Sequence, residues 1–423
     1  MKTSIEEAKA TVNRHALAPT PTRLPITEAA GLRLADDVAA PEPLPSFDNS
    51  AMDGYAVRLP ERDDPIAEPF PILGEAQAGS PFEGHVGPGQ AVRISTGAVV
   101  PDGAERVIRI EDAEEENGRV RFHEAGTPNG NIRYKGEEVA VGDGIAEKGA
   151  PLTPPLVGRL ASLGVAEVPV YEPPTVAVLN TGNELVDAGA ALKPGQIRNS
   201  NRYVLTDLLR RSGARLGPVE TVRDTWDDTV AAIEHASERA DLVVITGGVS
   251  VGPHDHVKAA AEEVGFERRF WKVRQKPGKP FYFATREDTL LFGLPGNPFS
   301  AAINTVYYVR PVVRRALGIP RPEGRTVAAR MHASHERRKA RRAKFMLVRI
   351  VGVEDGEARL RVVDKQRSHM LAGLHESDGF VLGPVGKTQF APTEPLEMTL
   401  FPWREERAMD WGLSVKRPRG RPV

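Results

Sequence analysis

The 423-residue sequence contains no cysteine, which excludes disulfides, thiolate metal sites and a cysteine nucleophile. It also lacks an excess of either charge: 56 Lys and Arg stand against 57 Asp and Glu, so the whole chain offers no attraction to nucleic acid or to an anionic membrane. Long hydrophobic runs are absent too, because the apolar stretches are far shorter than the ~20 residues that span a bilayer. The N-terminus has no apolar signal-peptide core. We therefore expect a cytoplasmic protein without a membrane partner.

What the sequence does contain is turn residues, 40 Gly and 36 Pro, with 40% hydrophobic residues, which is enough for several packed cores. Between residues 174 and 317, apolar strand runs alternate with amphipathic helices, and this predicts a parallel sheet covered on both faces. Short alternating stretches on either side of this segment predict β-rich domains. The predicted fold class is therefore α/β plus β-rich domains, in a multidomain chain with a central parallel α/β sheet.

The domain boundaries follow from these changes of pattern. Ser4 and Glu7 form a capping box for a first helix, and proline-rich segments separate the domains. The predicted parts are a helical and extended linker domain at 1–45 with 142–173, a small β-rich domain at 46–141 inserted into it, a catalytic α/β domain at 174–317, a C-terminal β-barrel-like domain at 318–403 and a basic, disordered tail at 404–423.

Three loops give the first functional signal, because each follows a predicted parallel strand. Ligands bind to open parallel sheets at the carboxyl ends of the strands, where loops expose backbone amides. Glycine permits the close backbone approach that cradling a phosphate requires. The candidate substrate-binding residues in these loops are Thr181, Gly182, Gly247, Gly248, Ser250, Gly252, Pro295, Gly296 and Asn297. One such loop is as often a tight turn, whereas three at one edge indicate a ligand site.

Three acidic residues, Glu184, Asp224 and Asp255, follow strands at the same predicted edge. Carboxylates beside a phosphate repel it unless a hard cation lies between them, and Mg²⁺ takes one or two carboxylates plus phosphate oxygens. The sequence therefore predicts a magnesium and phosphate site. The alternative for Asp224 and Asp255 is that each caps the helix that follows it.

Basic residues form two further groups. Lys272, Lys276 and Lys279 lie in a turn that prolines and a glycine hold out of a helix, so they bind an anion or remain in a solvated basic loop. The denser basic run at residues 337–344 is expected to be a solvated loop. In the β-rich domain, polar residues at 47–55, 95–98 and 131–138 show no strand period, which fits either Asx turns or a binding site.

Seven motifs, in order, resemble the molybdopterin molybdenumtransferase family, which includes the E domain of gephyrin. They lie at residues 47–55, 96–104, 131–137, 181–185, 247–252, 276–280 and 293–298. The resemblance extends from about residue 5 to 403. It implies an enzyme that takes adenylyl-molybdopterin, releases AMP in a Mg²⁺-dependent reaction and inserts molybdate into the dithiolene, giving the molybdenum cofactor.

The resemblance also implies an elongated homodimer of four-domain subunits, with the active site between the α/β domain of one subunit and the small β domain of the other. A molybdopterin adenylyltransferase would act upstream and molybdoenzymes downstream. Lys272 and Lys276 would bind anionic substrate groups or molybdate, and the C-terminal domain would supply Ser368. The residues that it assigns to catalysis are Asp53, Thr96 and Glu138 from the partner subunit, with Glu184, Asp224 and Asp255 holding the metal and the pterin phosphate. Glu138 departs from the family pattern, in which Asp is common.

Two other functions are compatible with the sequence. A molybdopterin adenylyltransferase resembles the α/β domain alone, and the two extra β domains count against it. A non-catalytic scaffold or DNA-associated paralogue is the other alternative. The tail at residues 416–422 resembles an AT-hook, yet short basic matches arise readily by chance and DNA binding is not expected. The retained acidic and lysine positions favour chemistry.

Overall fold

A computed structural model describes residues 3–61, 63, 65–250, 252, 255–405, 411, 413 and 415–416. The chain forms two compact units, a larger one of Met1–Thr22 with Tyr171–Val423 and a smaller one of Arg23–Val170. Within the described ranges, no helix is long and apolar enough to cross a membrane.

The larger unit contains a six-stranded sheet with a parallel centre. Its strands, in spatial order, are Arg215–Val222, Thr175–Thr181, Leu242–Thr246, Thr289–Leu294, Tyr282–Arg286 and Glu267–Trp271. The first four are parallel, as predicted, and every residue of Leu242–Thr246 is buried, which explains its uninterrupted apolar run. Tyr282–Arg286 runs antiparallel to both of its neighbours, so the sheet is mixed rather than wholly parallel. Sequence reasoning misses Glu267–Trp271 because this edge strand exposes charged residues and has no apolar run.

Two helices that follow strands of this sheet begin at side-chain caps. The hydroxyl of Thr225 accepts the Asp228 N–H at the start of Trp226–Ser237. Asn199 caps Ser200–Arg211 in the same way. The other helices are Ile5–Arg14, Val257–Glu263, Pro298–Asn304, Arg310–Ala316 and Ala372–Glu376, with a π-helical turn at Thr305–Val309 and a 3₁₀ turn at Pro402–Arg404.

The first helix, Ile5–Arg14, begins at the predicted capping box. It belongs to the larger unit, where the ring of His15 packs edge-on against Phe283 with 6.0 Å between centroids. This differs from the predicted grouping of residues 1–45 with 142–173. An amphipathic pattern shows that one face of a helix is buried, but it does not show what that face packs against.

The C-terminal part of the larger unit is a closed five-stranded barrel, which confirms the predicted barrel-like domain. Around the barrel the strands are Ala343–Glu354, Glu357–Val362, Thr326–Met331, Leu396–Leu400 and Gly379–Gly383. Gly379–Gly383 closes the ring by pairing with Ala343–Glu354. Its terminal glycines hide it from sequence reasoning. Short strands elsewhere in this unit are Leu185–Val186, Ile197–Arg198, Gln275–Lys276, His335–Glu336, Gln389–Phe390 and Val415–Lys416.

The basic run at 337–344 is not a solvated loop throughout. Arg337 is only 5% exposed, because its guanidinium donates to the carbonyls of Gly383 (3.1 Å), Pro384 and Lys387. Burial lowers the pKa of Lys344, and nearby positive charges lower it further.

Most of the tail that was predicted to be disordered lies outside the described residues, namely 406–410, 412, 414 and 417–423. The last of these ranges holds nearly all of the AT-hook-like motif. Two residues of the tail form a strand, since Val415–Lys416 pairs with Thr326–Met331.

The smaller unit is built around a second six-stranded sheet. In spatial order its strands are Arg106–Arg109, Gly54–Arg58, Gln90–Ile94, Phe70–Ala76, Arg119–Phe122 and Ala113–Glu116. The remaining elements are strands Val38–Ala39, Asn49–Ser50, Ile132–Arg133 and Gly144–Ala146, helices Ile26–Ala29 and Pro154–Ser162 and a 3₁₀ turn at Ile110–Asp112, with Pro21–Pro25 and Glu167–Tyr171 at the boundaries of the unit. Buried side chains of the sheet form two clusters, and buried side chains from residues 29–40 and 139–170 form a third.

Candidate functional site

The carboxyl ends of the parallel strands bring the predicted loops together. The Gly182 N–H donates to the Val222 carbonyl at 3.1 Å, which ties the first loop to the neighbouring strand. The Gly247 N–H donates to the Leu294 carbonyl at 3.1 Å, so the second loop meets the start of the third. The edge predicted from the sequence is thus a continuous surface of loop backbone.

Gly247 lies close to Thr181, at the end of the strand that leads into the first loop. Its φ is +89°, and a Cβ at this position would lie 2.6 Å from the Thr181 carbonyl oxygen and 2.5 Å from its hydroxyl. The Thr181 hydroxyl is buried and has no hydrogen-bond partner among the residues that the structure describes. Gly248 also has a positive φ, of +61°. Only glycine fits this conformation and spacing, which is the backbone arrangement expected of an anion cradle.

Asp224 is fixed to the first loop and does not cap a helix. Its Oδ2 accepts the Asn183 N–H at 3.3 Å, while its own N–H donates to the Asn183 side chain at 3.2 Å. The cap of the following helix is Thr225. The alternative interpretation of Asp224 as a helix cap is therefore wrong.

Asp255 forms hydrogen bonds back to the loop at residues 247–252, which is called the glycine loop below. Its Oδ2 accepts the Gly252 N–H, and the Asp255 N–H donates to the Gly252 carbonyl at 3.2 Å. The next helix, Val257–Glu263, has no side-chain cap, so the capping alternative fails here too. Glu184 is exposed, and its backbone carbonyl accepts the Ile197 N–H at 2.9 Å.

In the described part of the chain, no group of three or more His, Cys, Asp or Glu side chains is arranged to hold a metal ion. Glu184, Asp224 and Asp255 therefore do not form a ready-made cage. Mg²⁺ does not require such a cage, because it binds through one or two carboxylates and keeps waters and substrate phosphates as its other ligands.

Two lysines converge on Trp271 beside the glycine loop. The ammonium of Lys272 lies 3.6 Å from the ring centroid and that of Lys258 lies 4.7 Å from it. Lys272 has a φ of +72°, an uncommon conformation for a residue with a side chain. Burial lowers the pKa of Lys258, and Lys272 lowers it further, while Asp255 opposes the shift. Sequence reasoning identified Lys272 but missed Lys258, although it lies one helical turn after Asp255.

The other predicted substrate residues of the larger unit differ in their exposure. Lys276 is exposed in Gln275–Lys276, and Lys279 is half-buried. The Ser368 carbonyl accepts the Phe299 N–H at 3.0 Å, which places it against the helix that follows the 293–298 loop. Pro295 is buried, whereas Gly296 and Asn297 are exposed.

Sequence reasoning also missed Asn201, which supports the third loop. Its side-chain amide donates to the Gly296 carbonyl at 2.7 Å, and its Oδ1 is buried with no partner among the described hydrogen bonds. Asn201 lies at the start of Ser200–Arg211, and its position after Asn199 and Ser200 was the available signal.

In the smaller unit, the three polar motifs are joined by hydrogen bonds. Asn49–Ser50 pairs with Ile132–Arg133, and the Gly97 N–H donates to the Ser50 carbonyl at 2.8 Å. Local turn bonds are present as well, since the Ser50 hydroxyl accepts the Met52 N–H at 3.2 Å. The Asx-turn and binding-site interpretations are thus compatible.

Asp53 and Thr96 meet within this cluster. The backbone N–H and the hydroxyl of Thr96 donate to Asp53 Oδ1 at 2.7 and 3.0 Å. The backbone bond first, and the hydroxyl second, hold the pKa of Asp53 below its ordinary value. The Glu138 carboxylate is exposed, and no described hydrogen bond links it to either residue.

Replacing Thr96 with valine is expected to raise the pKa of Asp53 towards the ordinary aspartate value, because one of its two donors is lost. The rise should be incomplete, since the backbone N–H remains. A lowered pKa means that these bonds favour the folded state above the unfolded pKa and lose this effect as the pH falls through the folded pKa. Titration of the Asp53 carboxyl carbon by NMR measures the change, and an unaltered pKa contradicts the assigned role of the hydroxyl.

Three family models match the chain in order. They are the MoeA N-terminal region (domain I and II) over residues 3–164, a probable molybdopterin binding domain over 177–315 and the MoeA C-terminal region (domain IV) over 329–401. The second match covers the strand-end loops described above.

Curated relatives and solved structures agree with these models. The chain is 37% identical over 381 residues to the molybdopterin molybdenumtransferase of Haemophilus influenzae, covering 90% of this chain and 94% of that protein. It is 32% identical over 391 residues to the molybdopterin molybdenumtransferase of Bacillus subtilis, covering 90% of each. A crystal structure of the molybdopterin biosynthesis MoeA protein of Pyrococcus horikoshii aligns with a TM-score of 0.74 at 30% identity, over 95% of this chain and 99% of that one.

The fold, the strand-end loops and these matches define a multidomain transferase with a molybdopterin-binding α/β domain. The chain belongs to the molybdopterin molybdenumtransferase family.

Proposed function

We propose that the enzyme takes adenylyl-molybdopterin and molybdate, and that it releases AMP and the molybdenum cofactor in a Mg²⁺-dependent reaction. The observation that carries this proposal is the meeting of the Gly247 loop, the carboxylates of Asp224 and Asp255 and the ammonium of Lys272 at one sheet edge. Such an edge suits a substrate that carries a pyrophosphate.

The positively charged and N–H groups would bind the anionic parts of the substrate, and the carboxylates would bind the metal. Lys272 and Lys276 would bind the anionic groups of the substrate or molybdate, and the N–H groups of the glycine loop would bind the pterin phosphate. Glu184, Asp224 and Asp255 would hold Mg²⁺, which when bound neutralises charge on the phosphate oxygens. The absence of cysteine fits this chemistry, because the sulfur ligands of the molybdenum belong to the pterin.

The test of the proposed product uses a molybdoenzyme stripped of its cofactor. Purified protein is incubated with adenylyl-molybdopterin, molybdate and Mg²⁺, and the mixture is added to the apo-molybdoenzyme. Recovery of molybdoenzyme activity is expected. In a parallel incubation, molybdopterin and ATP replace adenylyl-molybdopterin. Consumption of ATP there, without recovery of molybdoenzyme activity in the first assay, would instead favour the adenylyltransferase alternative.

We also propose that the protein is a cytoplasmic homodimer whose active sites each use Asp53, Thr96 and Glu138 from the partner subunit. An adenylyltransferase would supply its substrate and molybdoenzymes would receive its product. This proposal rests on the family resemblance and on the hydrogen-bonded Asp53 and Thr96 pair, which the sequence places apart from the α/β domain.

Mixing inactive Asp53→Asn and Asp255→Asn proteins tests the shared site. After subunit exchange about half of the dimers are mixed and each carries one intact site, so about a quarter of wild-type activity should return. Light scattering confirms the dimer and its exchange. Exchanged dimers without recovered activity would place both residues in a site within one subunit.

A further inference from the structure

Two side chains from separate segments hold the carbonyls of the glycine loop. The indole Nε1–H of Trp271 donates to the Val249 carbonyl at 3.0 Å. The ammonium of Lys258 donates to the Ser250 carbonyl at 2.8 Å. Trp271 ends an edge strand, whereas Lys258 lies on the helix after the loop. The loop is therefore fixed from two directions at consecutive peptide groups.

Trp271 also fixes the lysine that shares this task. Its ring lies 4.7 Å from the Lys258 ammonium and 3.6 Å from that of Lys272. A cation that rests on an aromatic face and donates to a carbonyl loses most of its rotational freedom. Trp271 and Lys258 thus form one clamp, in which the indole orients the ammonium and both donate to the loop.

The geometry of the peptide bond gives this clamp a consequence for ligands. In a planar trans peptide, the C=O of one residue and the N–H of the next point in opposite directions. With the Val249 carbonyl directed at Trp271, the Ser250 N–H must point to the other side of the loop. No described residue accepts a hydrogen bond from this N–H. It therefore lies on the face of the loop turned away from the clamp.

We propose that Trp271 and Lys258 are positioning residues of the substrate site: Trp271 aims the Ser250 N–H at the substrate anion by holding the carbonyl of the same peptide group, and Lys258 restrains the next peptide group through the Ser250 carbonyl. The inference rests on the proposed function for the identity of that anion, the phosphate of adenylyl-molybdopterin. The clamp itself is a property of the free protein.

Substitutions at Trp271 and Lys258 separate the contributions of these two residues to the clamp. Trp271→Phe keeps an aromatic ring for the two lysines and removes the N–H donor to Val249, and the Trp403→Phe control shows the effect of the smaller ring alone. Lys258→Met keeps the length and apolar stem of the side chain and removes the donor to Ser250, whereas Lys258→Arg restores a donor. Matched controls are Trp403→Phe, at a ring stacked on Phe401 in the barrel segment, and Lys148→Met, at an exposed lysine of the smaller unit.

The first readout needs no substrate. Hydrogen–deuterium exchange is followed in the peptide spanning residues 246–257 of the full-length protein. Loss of one hydrogen bond to the loop should speed its exchange about fivefold in Trp271→Phe and Lys258→Met, with little change in Lys258→Arg or in either control. Unchanged exchange in both clamp variants overturns the proposal.

The second readout tests whether the orientation of the Ser250 N–H affects substrate binding. The KM for adenylyl-molybdopterin should rise about tenfold in Trp271→Phe and Lys258→Met while kcat stays within about threefold, because a ground-state contact is weakened. Faster exchange with an unchanged KM would leave the clamp as a structural feature only and would overturn the positioning role. A wild-type protein that releases no AMP would refute the proposed function, while the exchange experiment would still decide whether the clamp exists.

Discussion

Replacing Asp255 with asparagine is expected to lower kcat for AMP release by about a hundredfold or more, because it removes a negative charge where the proposed mechanism places a cation and a phosphate. The fold should survive. Asparagine keeps the shape of the side chain, and its Oδ1 can still accept the Gly252 N–H that Asp255 accepts. AMP release measured by chromatography, together with the circular dichroism spectrum and the Tm, gives both parts of the answer.

Asp207→Asn is the matched control for this experiment. Asp207 pairs with Arg211 at 2.7 Å on an exposed helix surface, and such pairs contribute little to stability. We expect wild-type turnover from this variant. If Asp255→Asn also turned over at the wild-type rate, Asp255 would be removed from the catalytic residues and the metal assignment would lose one of its three carboxylates.

Replacing Gly247 with alanine is expected to reduce kcat/KM at least tenfold, because the loop must move to admit a methyl group. The left-handed conformation costs alanine about 1–2 kcal/mol. In addition, the new Cβ would lie 2.6 Å from the Thr181 carbonyl oxygen, which belongs to a strand and has no flexible end to move. Movement of the Gly247 loop would displace the N–H donors that follow it, so substrate binding should suffer more than the Tm.

Gly189→Ala provides the comparison. A Cβ at Gly189 meets nothing within 4 Å, so this variant should keep the wild-type kcat/KM. Steady-state kinetics with adenylyl-molybdopterin and thermal unfolding of both proteins measure the difference. An unaltered kcat/KM in Gly247→Ala would show that the close contact with Thr181 does not shape the substrate site.

The parallel core was predictable because a buried parallel strand is a continuous apolar run, as in Leu242–Thr246. The edge strand Glu267–Trp271 was not predictable, because its exposed charged residues leave no continuous apolar run. The same limit applies to Gly379–Gly383, which closes the barrel. Which surface receives the first helix is a tertiary choice that a pattern within ten residues cannot encode.

The strand-end site was predictable in part because ligand loops follow strands directly in sequence. Glycine loops and carboxylates at such positions carry their own signal, and the structure brings Gly182, Gly247 and Asp224 to one edge. The clamp was not predictable. Lys258 and Trp271 contact the loop only once the helix and the strand that carry them have packed against it. Neither residue type in the sequence predicts that contact.

The measurement that most directly tests the central claim is AMP release from adenylyl-molybdopterin by the wild-type protein, with molybdate and Mg²⁺ supplied together, singly and in the presence of EDTA. The account predicts rapid release only when both are present, and its recovery when Mg²⁺ is added back in excess over EDTA. A folded protein that releases no AMP under any of these conditions would contradict the account, and so would one that releases it equally well with EDTA.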